Sequence, residues 1–239
     1  MLLHGLSAAW PMSTWILAQV LFWCLLVWSV FRLDLAHLAN LKDTSVWAAM
    51  TLFFTLLWRL NAGIDPGLNF HVFGSALMTL LFGFHYMLIG GVLGMLGNAL
   101  SGAGSVVDIP MSALAVLAIP GGITHLIWRL SLHRLPPNFF AYIWGVGFFG
   151  ASLAVSISGT VVTTVLWLSG VYDLDYLTSF YFPYSLMQAF PEGFITGTVL
   201  SLLVVYQPDW VATFRDEFYL THANPSDAHR LRRDTHSDE

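Results

Sequence analysis

Asn69-Phe70-His71-Val72-Phe73-Gly74-Ser75-Ala76-Leu77-Met78-Thr79-Leu80-Leu81-Phe82-Gly83-Phe84-His85-Tyr86-Met87-Leu88-Ile89-Gly90-Gly91-Val92-Leu93-Gly94-Met95-Leu96-Gly97-Asn98-Ala99-Leu100 contains no Asp, Glu, Lys or Arg. As one helix this stretch would be about 48 Å long, against a hydrocarbon core of about 30 Å. It is too long for one crossing. Split at Gly83, each half is short, and short membrane helices present backbone groups at binding sites. The split decides between six spans and seven.

The rest of the chain sets the context. Of 239 residues, 56% are apolar and 10% are charged, where a soluble domain carries about 25% charge. Mean hydropathy is +0.69. These values exclude a water-soluble globule, and exclude disorder except near the C-terminus. Solid apolar runs, rather than alternation, exclude a membrane barrel. Seven spans of about 20 residues would use roughly 140 residues. The expected fold is therefore all-α, a polytopic transmembrane bundle of about seven spans. Cys24 is the one cysteine, so no intrachain disulfide or thiolate cluster can form. Lys42 is the one lysine and lies outside any G-x-x-x-x-G-K-[ST] context, so the chain has no P-loop. Uphill transport would need an ATPase partner or an ion gradient. The first run has no basic segment before it and no small-residue cleavage site after it, which reads as a retained span. Nothing calls for a nucleic-acid partner or an organic cofactor.

The spans are placed at 14–31, 45–60, 69–82, 85–100, 109–130, 140–168 and 184–206. Residues 1–207 form the membrane domain. Residues 208–239 form a cytosolic tail, expected to be disordered from about 224. With seven spans and the N-terminus outside, Arg32, Lys42, Arg129, Arg134, Arg215, Arg230, Arg232 and Arg233 face inward and Arg59 alone faces outward. A merged six-span arrangement gives seven against two. The seven-span reading leaves Asp65, Asp108, Asp173 and Asp175 outside, as an acidic mouth that would concentrate cations or as ordinary solvated loop charge. The expected location is the cell's inner (plasma) membrane, as a multi-pass protein in the lipid bilayer.

Glu192 stands out because it lies inside the seventh span, in Pro191-Glu192-Gly193. A carboxylate at that depth is costly and marks a functional site by default. Ser185, Gln188, Glu192 and Thr196 share one helix face. Two roles fit Glu192: a contact in a substrate path, or a protonated acid bonded to another helix. Pro191 should kink the helix there. His71 opens the third span with Ser75 and Thr79 below it, and imidazole suits Ni, Co, Cu and Zn. His4 could approach His71 from outside, and Asp65 and Asn69 are nearby polar candidates. His37, His85 and His133 fall at the opposite side, with His125 inside the fifth span. No H-x-x-x-H or H-E-x-x-H occurs, which disfavours a metalloprotease. No intramembrane catalytic dyad can be assembled, so the chain does not read as an enzyme. Gly90, Gly94 and Asn98, like Gly193, Gly197 and Ser201, form small-residue rows that fit internal packing or a docking face.

Two segments together resemble one family. The first is Pro66-Gly67-Leu68-Asn69-Phe70-His71-Val72-Phe73-Gly74-Ser75-Ala76-Leu77, continuing through Leu81-Phe82-Gly83. The second is Pro191-Glu192-Gly193-Phe194-Ile195-Thr196-Gly197. They are similar to the "G-H-L-x-G-x-x-L" and "E-[GA]-x-I-T" stretches of the substrate-capture membrane subunit of cobalt and nickel energy-coupling-factor ABC transporters. The resemblance covers roughly residues 45–210. It implies an N-terminus outside and a nickel or cobalt ion, the substrate, bound there by the free amino-terminal segment and the motif histidine. On this chain those positions are Met1, His4 and His71, with Glu192 at the late acidic position. It also implies separate P-loop ATPase subunits and a coupling membrane subunit. The chain departs from the family where it opens Met1-Leu2-Leu3-His4-Gly5 rather than Met-His, which alters the chelate rings. The family's Asn-rich segment is replaced by Ile109-Pro110-Met111-Ser112. The expected function is a substrate-binding permease component for divalent transition-metal uptake. The alternative is a membrane accessory or assembly protein that keeps the fold without transporting.

Overall fold

Apolar runs become helices in a membrane because only a helix satisfies every backbone group within its own segment. The computed structural model describes residues 10–34, 41–60, 62–65, 68–214 and 219. Among these, seven helical segments form one bundle: α1 Met12–Phe31, α2 Leu41–Leu57, α3 Ser75–Phe82, α4 Phe84–Leu100, α5 Val106–Arg134, α6 Ala141–Leu168 and α7 Leu174–Tyr206. Four of them, α1, α5, α6 and α7, are long and apolar enough to cross a membrane. α2 and α4 are shorter apolar helices. The outer faces carry large apolar side chains, among them Trp23, Leu52, Phe149, Phe194 and Leu202, each more than half exposed. Exposed apolar area on this scale fits lipid contact, not water. The chain is a multi-pass membrane protein.

The third span departs from a plain helix. Gly83 (φ +85) separates α3 from α4, where the sequence places the split. The helix itself starts only at Ser75, not at Asn69. Residues before it form an antiparallel hairpin of β1 Ala62–Asp65 and β2 Leu68–Phe70, which pairs Gly63 with Asn69. His71, Val72, Phe73 and Gly74 then follow as a non-helical loop. His71 therefore precedes the helix instead of opening it. The reason is local: Gly74 takes φ +69, a left-handed turn that ends the loop and admits α3. α3 has 8 residues, about 12 Å of length, so this segment enters the bundle without crossing it as a helix.

The small-residue rows are spent on internal packing. A Cβ on Gly90 would lie 2.7 Å from Thr51 Oγ1, and one on Gly94 2.6 Å from Thr55 Oγ1, so this row seats α4 on α2. A Cβ on Gly193 would lie 2.6 Å from the Phe148 carbonyl, which seats α7 on α6. Prolines shape the long helices. A proline lacks the N–H that its i−4 carbonyl needs. Widened turns lie at Leu114–Ala118, before Pro120, and at Leu177–Tyr181, before Pro183. α7 is interrupted at Gln188, three residues before Pro191, between Phe182–Met187 and Ala189–Tyr206.

Candidate functional site

The 71–74 loop is non-helical backbone inside a membrane bundle. Such backbone survives only where protein supplies its hydrogen bonds. Here the partners come from two helices. Glu192 of α7 accepts from both free amides: Phe73 N–H to Oε2 at 3.1 Å and Gly74 N–H to Oε1 at 2.5 Å. Gln188, one turn earlier, donates from Nε2 to the His71 carbonyl at 2.9 Å. Trp58, just past the end of α2, donates from Nε1 to the carbonyls of Val72 (3.0 Å) and Phe73 (3.1 Å). Three side chains thus clamp four residues of backbone.

The chemistry of Glu192 follows. Both its oxygens act as acceptors toward backbone N–H groups, so it anchors the loop and, through Gly74, joins α7 to the start of α3. It is 1% exposed. Its carboxylate also sits at the N-terminus of α3, where unpaired amides and the helix dipole favour negative charge. Of the shared face, Ser185, Glu192 and Thr196 are buried and Gln188 is half-buried.

His71 is buried, with its ring flanked by Trp58 (centroids 5.9 Å) and Phe73 (5.7 Å). Its Nδ1 lies 2.9 Å from the Val72 carbonyl. A carbonyl can only accept, so the proton sits on Nδ1 and the lone pair on Nε2. A backbone bond of this kind fixes the tautomer and orientation of a metal-binding imidazole. Met1 and His4 lie outside the described residues. Asp65 lies on β1 and Asn69 on β2, next to the loop in sequence, and the structure describes only their backbone. Among the described residues no group of three or more His, Cys, Asp or Glu converges to hold a metal ion. Among the described residues His71 thus stands as one oriented, buried imidazole.

The remaining histidines sit elsewhere. His85 Nδ1 pairs with Ser29 Oγ at 3.0 Å, joining the start of α4 to α1, away from the clamp. His125 packs at a tilt against Trp128 on α5, with ring centroids 5.4 Å apart. In the acidic group, Asp108 is only 4% exposed, so it does not stand in solvent. Arg59 Nε donates to Asn98 Oδ1 at 3.2 Å, and a second guanidinium nitrogen reaches Ser101 Oγ.

Sequence reasoning missed Trp58. A tryptophan near a span end reads as an interfacial belt residue. The signal was its neighbour in space: the loop carbonyls that need a donor. Trp58→Phe keeps an aromatic ring, removes that donor and trims some buried volume. It is expected to cost about 1–3 kcal/mol, the penalty for under-satisfied buried polar groups. Thermal unfolding in detergent would read this as a lower Tm, and an unchanged Tm would mean that the bond contributes nothing.

A family comparison places the chain among known proteins. No curated protein matches the chain. The family described as the cobalt uptake substrate-specific transmembrane region matches residues 5–210, which include all the clamp residues. The match spans most of the chain and agrees with the helical membrane bundle. This chain belongs to the cobalt-uptake substrate-specific transmembrane family.

Proposed function

We propose that the protein is the substrate-binding subunit for uptake of a divalent transition-metal ion, cobalt or nickel, across the inner membrane. His71 supplies Nε2 as one ligand. The amino-terminal segment, with the Met1 amine and the His4 imidazole, supplies the others from outside. The four-residue loop held by Gln188, Glu192 and Trp58 carries this reading: it presents one oriented imidazole and spends the buried carboxylate on backbone. In this reading Glu192 and Gln188 position the ligand rather than touch the ion, and Asp65 and Asn69 lie at the entrance on the hairpin. The N-terminus is outside and the tail inside, as the basic residues favour. The chain has no P-loop, so energy comes from separate ATPase subunits through a coupling membrane subunit.

Equilibrium binding of Co(II) and Ni(II) to purified wild type and His71→Ala tests the proposal. Loss of at least tenfold in affinity in the variant is expected, since one of few ligands is removed. Equal affinity would remove His71 from the site. No binding by the wild type would remove the metal as substrate and favour the accessory role.

A further inference from the structure

α3 is held at both ends by the same partner. At its start, Glu192 of α7 takes the Phe73 and Gly74 amides. At its end, the chain that leaves α7 turns back through Pro208–Trp210 and caps the last carbonyls. Ala212 N–H donates to the Leu81 carbonyl at 2.9 Å. Thr213 donates to the Leu80 carbonyl from its amide (3.3 Å) and its hydroxyl (2.6 Å). Because the Thr213 hydroxyl hydrogen is committed to Leu80, the Tyr142 hydroxyl donates to Thr213 Oγ1, at 2.6 Å. Trp128 Nε1 donates to the Thr213 carbonyl at 3.0 Å. Val211, Thr213 and Phe214 are buried, and Phe214 stacks on Tyr219 and packs on Tyr142. Residues 211–214 lie past the end of the family match at 210, yet they are built into the bundle.

A helix of 8 residues is far below the length at which helices persist alone, about 12–15 residues. Its last four carbonyls have no partners within the helix. Gly83 N–H takes that of Thr79, and the strap takes those of Leu80 and Leu81. With only two turns between the ends, loosening at one end reaches the other.

We infer that residues 208–214 are a strap that orders the His71 loop through α3, with Thr213 and Tyr142 as positioning residues. The strap, α3 and the loop open and close as one local unit. Its consequence for affinity rests on the metal site proposed above, but the coupling itself does not.

Hydrogen exchange on the full-length protein in detergent, without metal, tests the coupling. Thr213→Val keeps the side-chain shape and removes the hydroxyl. The Phe73 and Gly74 amides are expected to exchange at least tenfold faster, amides in the middle of α6 to stay unchanged, and Thr213→Ser to restore protection. Tyr142→Phe, which deletes only the donor to Thr213, should shift the same amides in the same direction by a smaller factor. Faster exchange confined to residues 212 and 213 would overturn the inference. So would parallel acceleration in every helix, which is global destabilisation. Co(II) binding by the same variants is read separately. Wild type that binds no metal while the exchange coupling holds would sink the metal site and leave the strap standing.

Discussion

Glu192→Leu is expected to be the most damaging single substitution in the loop clamp. It leaves the Phe73 and Gly74 amides buried without an acceptor. Each orphaned buried donor costs about 1–3 kcal/mol, so the pair should cost about 2–6 kcal/mol. The leucine itself is no burden, since the site is only 1% exposed. Glu192→Gln separates the two bonds. A carboxamide has one acceptor oxygen, so one amide stays served and about half the loss is expected. Thermal unfolding in detergent should rank wild type above Gln above Leu, with metal affinity following the same order because the loop carries His71. Glu192→Leu as stable as wild type would show that the loop is held by other means. Gln as weak as Leu would show that the carboxylate charge at the α3 terminus matters more than the number of acceptors.

The membrane class and the seven segments were legible because they rest on composition and run length, which no tertiary detail can override. Even the split at Gly83 was readable, since one helix of that length does not fit a bilayer. Glu192 was legible as an anomaly for the same reason: a carboxylate is rare there, so it stands out. Its partner was not legible. The bonds join residues separated by 118 and 119 positions, and no local pattern encodes which backbone a buried acid will serve. Trp58 was hidden for a different reason. Its indole reads as an interfacial anchor in one dimension, and its one N–H is shared between two carbonyls only when the loop packs beside it. The start of α3 was misplaced because residues 69–82 carry no charge and are mostly apolar, so hydropathy does not register that Val72 and Phe73 are non-helical. The clue was Gly74. A glycine between apolar runs can mark a left-handed turn, but this chain has 20 glycines, and most of those in α4, α6 and α7 serve packing instead.

Gly74→Ala should be the second large effect, from two separable causes. The backbone there has φ +69, which a β-carbon disfavours by about 1–2 kcal/mol. The new Cβ would also lie 1.9 Å from Phe54 Cε1. Phe54 is fully enclosed on α2, at 2% exposure, so its ring cannot swing away. Overpacking of this kind costs about 1–3 kcal/mol, for a sum of about 2–5 kcal/mol. Gly170→Ala isolates the first cause. Its φ is +66 and a Cβ there meets nothing within 4 Å, so only the backbone cost is expected. Adding Phe54→Leu to Gly74→Ala removes the ring atoms in the way. The double variant should recover part of the loss, giving a coupling energy that two independent sites would not show. The shift should also tell at the ligand, because Gly74 carries one of the two amides that anchor the loop. Metal affinity should fall in Gly74→Ala and stay at the wild-type level in Gly170→Ala. If the two glycine variants melt at the same temperature, the contact with Phe54 does not restrain the loop, and the bonds from Glu192, Gln188 and Trp58 set where His71 sits.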